Sequence, residues 1–352
     1  MITNNQKLFL ALVRAGLWET DIQLSHFRDN DYLAVLQLAQ EQSVVGLVAA
    51  GLEHVVDVKV PKEEVLQFVG QSLQLEQRNT AMNSFIGVLV DKMRASAIYS
   101  VLVKGQGIAQ CYQRPLWRSS GDVDFLLSPD NYNKAKQFLL PLSSANKLDE
   151  RYSKHLGLTI DTWYVEIHGS LRTGLSTCLD REIDKVQEDV FFGGNVRSWM
   201  DGKTTVFLPS PNNDVFFLFT HFIKHFYKEG MTIRQICDWC RLMWTYKENI
   251  DSNLLEKRLR KANLMVEWRA FAALAVDHLG MPISSIPLYD DGKKWSEKGN
   301  IIIRFILKGY SGSKLKDTCS IMKILPGKTI QYLPSIFLNV NWLKIRERVF
   351  GR

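Results

Sequence analysis

The chain has 352 residues, enough for a sizeable core and more than one lobe. Its 46% hydrophobic content is ordinary for a globular protein, and no apolar run reaches the roughly 18 residues of a membrane helix. The net charge is +7, but Lys293 to Arg352 carries 13 Lys/Arg against 3 Asp/Glu, so the rest of the chain is slightly acidic and the basic character is local.

The N-terminal apolar stretch is short, broken by Arg14 and lacks a small-residue cleavage site, so it reads as a helix and not a signal peptide. Residues 4 to 97 read as helical throughout. Asp31 is a plausible N-cap for the helix that follows it, and Pro61-Lys-Glu-Glu opens a long one. Val65, Val69, Leu73, Met82, Phe85, Ile86, Leu89 and Met93 are spaced as a single apolar stripe along that long helix.

The period changes at Ile98. Ile98 to Val103 predicts a strand ending in Lys104-Gly105-Gln106-Gly107, followed by a short helix over Ile108 to Tyr112. Asp122 to Leu127 predicts a second strand, and Ser128-Pro-Asp a cap for a helix over about Asn131 to Leu140. Two more strands are expected near Leu156 to Ile160 and Trp163 to His168. From Pro209 the chain reads as helical again: Val215 to Phe226, Thr232 to Tyr246, one stretch from Leu254 to Leu279 ended by Gly280 and Pro282, then Trp295 to Leu307 and Trp342 to Phe350. The pattern is α+β: a mixed sheet core at 98–207 between an N-terminal helical region at 1–97 and a C-terminal helical lobe at 208–352.

The chemistry concentrates in the middle. Asp122 and Asp124 are two apart on a strand, so both carboxylates share a face while Val123 and Phe125 turn to the core. Paired carboxylates repel unless a cation or proton lies between them, and oxygen ligands of this kind suit Mg²⁺. An acid pair on a solvated strand edge would look the same. Glu166 and His168 alternate with Val165 and Ile167, so Glu166 could add a third carboxylate from a neighbouring strand. The glycine turn at Gly105 can offer free N–H groups to phosphate, but it matches neither a dinucleotide fingerprint nor a P-loop.

Taken together, Leu102-Val-Lys-Gly105, Tyr112, Pro115, Arg118, Gly121-Asp-Val-Asp-Phe-Leu-Leu and Val165-Glu-Ile-His168 resemble the bacterial uncharacterised nucleotidyltransferase family, within the nucleotidyltransferase superfamily with its polymerase-β-like fold. The resemblance runs over roughly residues 31 to 285, including the helices of His221, His225 and Asp238. It implies transfer of a nucleoside monophosphate from ATP or another NTP to an acceptor that is a small molecule, a sugar or a peptide. It implies Asp122, Asp124 and Glu166 as metal ligands and catalytic residues for two Mg²⁺ ions, with Mn²⁺ as the alternative ion. Lys104, Gly105, Gln106 and Arg118 would receive the nucleotide phosphates, and His221 and His225 would close over the nucleotide. Gln106 departs from the superfamily pattern, which has Ser or Gly there. That departure favours the alternative of a degenerate member that binds nucleotide or a partner without turnover.

The remaining features read more plainly. Arg234 and Asp238 share a helix face, as do His221 and His225 with Lys224 nearby. Cys237 and Cys240 lie in an apolar helix and are expected as buried free thiols and not as half of a zinc set. The five scattered cysteines fit a cytoplasmic protein. No nucleic-acid module is recognisable, so nucleic acid is not an expected partner. The basic Trp342 to Phe350 stretch could touch a membrane surface, but packing against its own lobe is the expected role.

Overall fold

The computed structural model describes residues 2–27, 30–143 and 154–337. Helix α1 (Asn4–Trp18) starts in a capping box between Thr3 and Gln6, and the Asp31 side chain caps α2 (Tyr32–Glu41) by accepting from the Ala34 N–H. Helix α3 (Val45–Glu53) lies directly on α1. A methyl group on Gly16 would sit 1.9 Å from the Leu47 carbonyl oxygen, and one on Gly51 would sit 2.1 Å from that of Leu12. Any side chain at either position would force the two helices apart.

Helix α4 (Lys62–Ala95) is 34 residues long, and the expected stripe holds along only half of it. Met82, Ile86, Leu89 and Met93 are buried, whereas Val69 and Leu73 are 38% and 51% exposed. The N-terminal half buries Phe68, Ser72 and Asn79 instead. Two of those three are polar, so hydrophobic periodicity cannot mark that face.

The sheet has four strands in the order β1-β2-β4-β3: β1 (Ser100–Val103), β2 (Val123–Leu127), β3 (His155–Ile160) and β4 (Trp163–His168). Only β2 and β4 run parallel. One face packs Val123, Phe125, Val165 and Ile167 against α4 and against α6 (Pro129–Leu139), which Ser128 caps. Between β1 and β2 lies the short α5 (Gly105–Ala109), which starts at the glycine turn itself, three residues before the expected helix.

Two elements are absent from the sequence expectations. Helix α7 (Thr177–Phe192) buries Leu179, Ile183, Val186 and Val190, a regular helical spacing that was open to reading. The hairpin of β5 (Val196–Asp201) and β6 (Thr204–Pro209) turns at Gly202, where φ is 57°. Val196 and Met200 on β5 are exposed, which weakens its strand signature.

The C-terminal lobe holds α8 (Pro211–Lys228), α9 (Ile233–Thr245), α10 (Ser252–Lys261), α11 (Met265–Leu279), α12 (Lys293–Lys308) and α13 (Lys314–Ile324), with further helix over 326–337. The single helix expected from Leu254 to Leu279 is two. Asn263, at φ 58°, ends α10 in a left-handed cap, and α11 then leaves in a new direction. The Trp342 to Phe350 stretch lies outside the described residues. No helix among the described residues is long and apolar enough to cross a membrane.

One continuous apolar core includes Leu8, Leu12 and Val48 from the N-terminal helices and Phe219, Trp239, Trp268 and Phe271 from the C-terminal lobe. Arg241 of α9 ties them further, donating to the Leu17 carbonyl oxygen at 3.0 Å and to that of Cys111 at 2.8 Å. Cys237 and Cys240 are fully buried in this core, and both are free thiols.

Candidate active site

The sheet, α7, α8 and α9 enclose a cleft of about 990 Å³. The parallel register sets Asp124 of β2 beside Glu166 of β4, with Val123 and Phe125 turned into the core. Asp122 stands just before β2, exposed at the cleft mouth. Partial burial and the carboxylates of Asp124 and Glu166 raise its pKa above the ordinary aspartate value.

Asp124 is buried and carries two cationic or polar neighbours on one oxygen. Lys104 Nζ lies 2.7 Å from its Oδ1, and His168 Nε2 lies 2.9 Å from the same atom. No partner of Oδ2 is present among the described residues. Burial opposes the charge on His168, but the carboxylates of Asp124 and Glu166 outweigh it and raise its pKa. Burial likewise opposes ionisation of Glu166. Its contacts with His155 and His168, together with nearby Lys104, reverse that effect and hold the carboxyl far below the usual range.

Lys104 reaches Asp124 from a strained turn. Its φ is 61°, uncommon for a residue with a side chain, and Gly105 follows at 44°. Gln106 does not face the cleft. Its side chain is buried and donates to Asn79 Oδ1 at 3.1 Å and to Met82 Sδ at 3.5 Å, so only its backbone is left for a ligand. Asn79 is the centre of this region. Its amide donates to the Leu116 and Arg118 carbonyl oxygens at 2.7 and 2.8 Å, and its oxygen accepts from Gln106 and from the Ser120 hydroxyl.

Arg118 lines the cleft, but its guanidinium is committed. It grips Asp238 through Nε and Nη2, both at 2.7 Å, and Tyr112 donates its hydroxyl to the same carboxylate. Two of the residues that carried the family resemblance, Tyr112 and Arg118, thus converge on a third in an arrangement that fixes α9 against the loop after α5. Arg234 is a cleft cation of another kind. It donates to the Ser119 carbonyl oxygen at 2.9 Å and has no ion pair among the described residues. Burial and the neighbouring Arg118 make its charge costly.

His221 and His225 on α8 meet, with Nε2 atoms 3.1 Å apart. Burial, with Lys104 and His225 beside it, drives the His221 pKa well down. Burial also lowers His225 to about 4, against the pull of Glu229 at 3.1 Å. The cleft is thus lined by Lys104, Arg234 and two imidazoles whose charge is disfavoured, with Glu229 beside His225. The sequence reading did not include His155 of β3. It stands in register opposite His168, and the alternation of His155, Gly157 and Thr159 with Leu156, Leu158 and Ile160 was the available signal.

A small mixed sheet between helical layers, with acids in register on adjacent parallel strands, defines an α+β protein of nucleotidyltransferase-like fold. The family described as "Uncharacterised nucleotidyltransferase" matches residues 28–280, and the chain belongs to that family. Among solved structures it is similar to an antigenic nucleotidyltransferase-like protein from Paracoccidioides brasiliensis, at 15% identity and a TM-score of 0.33, over 58% of this chain and 95% of that one. A likeness at that level carries no argument. No curated protein matches the chain.

Proposed function

We propose that this chain is a metal-dependent nucleotidyltransferase that moves a nucleoside monophosphate from an NTP to an acceptor hydroxyl. The observation that carries the reading is the register of Asp124 beside Glu166 on the cleft floor, with Asp122 before them and the Lys104–Arg234 wall alongside. The donor chemistry suits Mg²⁺, or Mn²⁺ in its place, and the three carboxylates would have to draw together to share one ion. The donor set is all oxygen, burial and the carboxylates of Asp124 and Glu166 raise the proton affinity of Asp122, and Asp124 Oδ2 is open while both neighbours sit on Oδ1. When bound, a divalent ion would polarise the phosphoryl group and acidify the acceptor hydroxyl.

The chain's own groups do the rest. Lys104 and Arg234 neutralise phosphate charge as it enters. The Gly105 and Gln106 N–H groups offer hydrogen bonds without a side-chain hydroxyl, while those of Gly107 and Ile108 donate to the Lys104 carbonyl oxygen. Glu166, held ionised by its histidines, acts as a ligand and not as a proton carrier. The Arg118–Asp238–Tyr112 cluster keeps α9, and with it Arg234, at a fixed height above the acids. The acceptor approaches along α7, whose Asp184, Gln187 and Phe191 line the far side of the cleft.

The test is a thermal-shift panel of ATP, GTP, CTP and UTP with and without Mg²⁺, comparing wild type with Asp124→Ala. A nucleotide at 100 times its Kd stabilises the fold by about 2.7 kcal/mol. A Mg²⁺-dependent shift that Asp124→Ala loses supports the reading and identifies the donor. No shift with any nucleotide at millimolar concentration favours a member without turnover, the reading to which the inward-turned Gln106 side chain lends weight.

A further inference from the structure

We propose that His155, Glu166 and His168 form a binding site for one first-row transition-metal dication of the zinc type, sharing Glu166 with the oxygen set but using neither Asp122 nor Asp124. The proposal goes beyond the nucleotidyltransferase reading and stands without it. Glu166 and His168 are two apart on β4 and share a face, and His155 lies directly across from His168 on β3. One ligand atom from each falls within 4.8 Å of the other two.

The spacing argues for an ion more than for an ion pair. His155 Nε2 is 3.3 Å and His168 Nε2 is 3.4 Å from the same oxygen, Glu166 Oε2. Charge-assisted hydrogen bonds close to about 2.7–2.9 Å. Ligands held about 2.0–2.1 Å from a tetrahedral centre stand roughly 3.3–3.4 Å apart. Two imidazoles and one carboxylate suit zinc-type ions, whereas Mg²⁺ takes oxygen. All three side chains line the cleft and are 12–20% exposed, so an ion can enter and keep a fourth position open to the cavity. Coordination through Nε2 takes the lone pair of His168 and ends its hydrogen bond to Asp124, which leaves Asp124 to Lys104.

The experiment uses the metal-free full chain, titrated with Zn²⁺ by calorimetry in millimolar Mg²⁺, and with Co²⁺ by visible absorption. One equivalent of Zn²⁺ at micromolar affinity or better is expected, with the intense bands of tetrahedral Co²⁺. His155→Ala, shown by circular dichroism to be folded, should bind at least about 100-fold more weakly. Asp122→Asn, which removes an oxygen ligand of the other set, should retain uptake. Failure of folded wild type to take up Zn²⁺, or unchanged affinity in His155→Ala, overturns the proposal. If His155→Ala does not fold, the wild-type Co²⁺ spectrum decides: weak octahedral bands also overturn it. The Mg²⁺-dependent nucleotide shift is read separately, so either idea can fail alone.

Discussion

At the scale of the residue, Asn79, Arg234 and the His221–His225 pair carry the clearest consequences. Asn79 is buried and uses its amide on both sides, so Asn79→Ala would strand the Leu116 carbonyl oxygen and leave the Arg118 carbonyl oxygen, the Ser120 hydroxyl and the Gln106 amide with only longer contacts at 3.4–3.5 Å. A stranded group costs about 1–3 kcal/mol, and with three more weakened the expected loss is about 3 kcal/mol by chemical denaturation. Arg234→Ala should leave the fold intact and weaken nucleotide binding about ten- to hundredfold, the value of a hydrogen bond to a charged group. An unchanged nucleotide Kd would remove Arg234 from the phosphate wall. The His221–His225 pair sets a pH dependence. Both pKa values are depressed, so the unfolded chain binds more protons than the folded one below the ordinary histidine value. Their contribution is intact near neutrality and is lost as pH falls from about 6.5 toward about 4. The acid-side slope of stability should be shallower in His225→Gln, measured by urea melts across that window.

At the scale of the element, the α1–α3 contact is the most sensitive to mutation. Gly51→Ala places a methyl against the Leu12 carbonyl oxygen and should cost at least about 1–3 kcal/mol through helix displacement, read as a lowered Tm. Such close approach leaves little trace in one sequence, since a glycine within a helix looks the same whether packed or exposed. The strands that hold Asp124 and Glu166 were legible because apolar alternation is short-range, whereas Asp122, expected on the second strand, stands just before it. Pairing was not legible: nothing local says that β2 runs parallel to β4, yet that pairing sets Asp124 beside Glu166. The commitment of Arg118 to Asp238 was hidden for the same reason, as 120 residues separate the partners. His155 was missed because a lone histidine at the head of a strand gains meaning only from His168 across the sheet.

At the scale of the whole molecule, the helices before the sheet and those after it share one apolar core, and Arg241 stitches them. A chain lacking residues 1–58 would strip α1 from α11, open part of that core to water and should lose its cooperative unfolding transition by circular dichroism. A truncated chain that melts as sharply as the full one would show the C-terminal lobe to be self-sufficient. Helix α4 contributes to two cores, Phe68 to this shared one and Met82, Ile86, Leu89 and Met93 to the one under the sheet. At 1.5 Å per residue its 34 residues make a rod about 51 Å long. Its C-terminal half lies under the sheet, its N-terminal half is largely wet, and Asn79 sits midway. The rod therefore joins a wetter arm to a buried one, and the residue at the junction is the one that holds the loop of Arg118 and Ser120. Amide exchange along α4 should show this as a step near Asn79, fast on one arm and slow on the other.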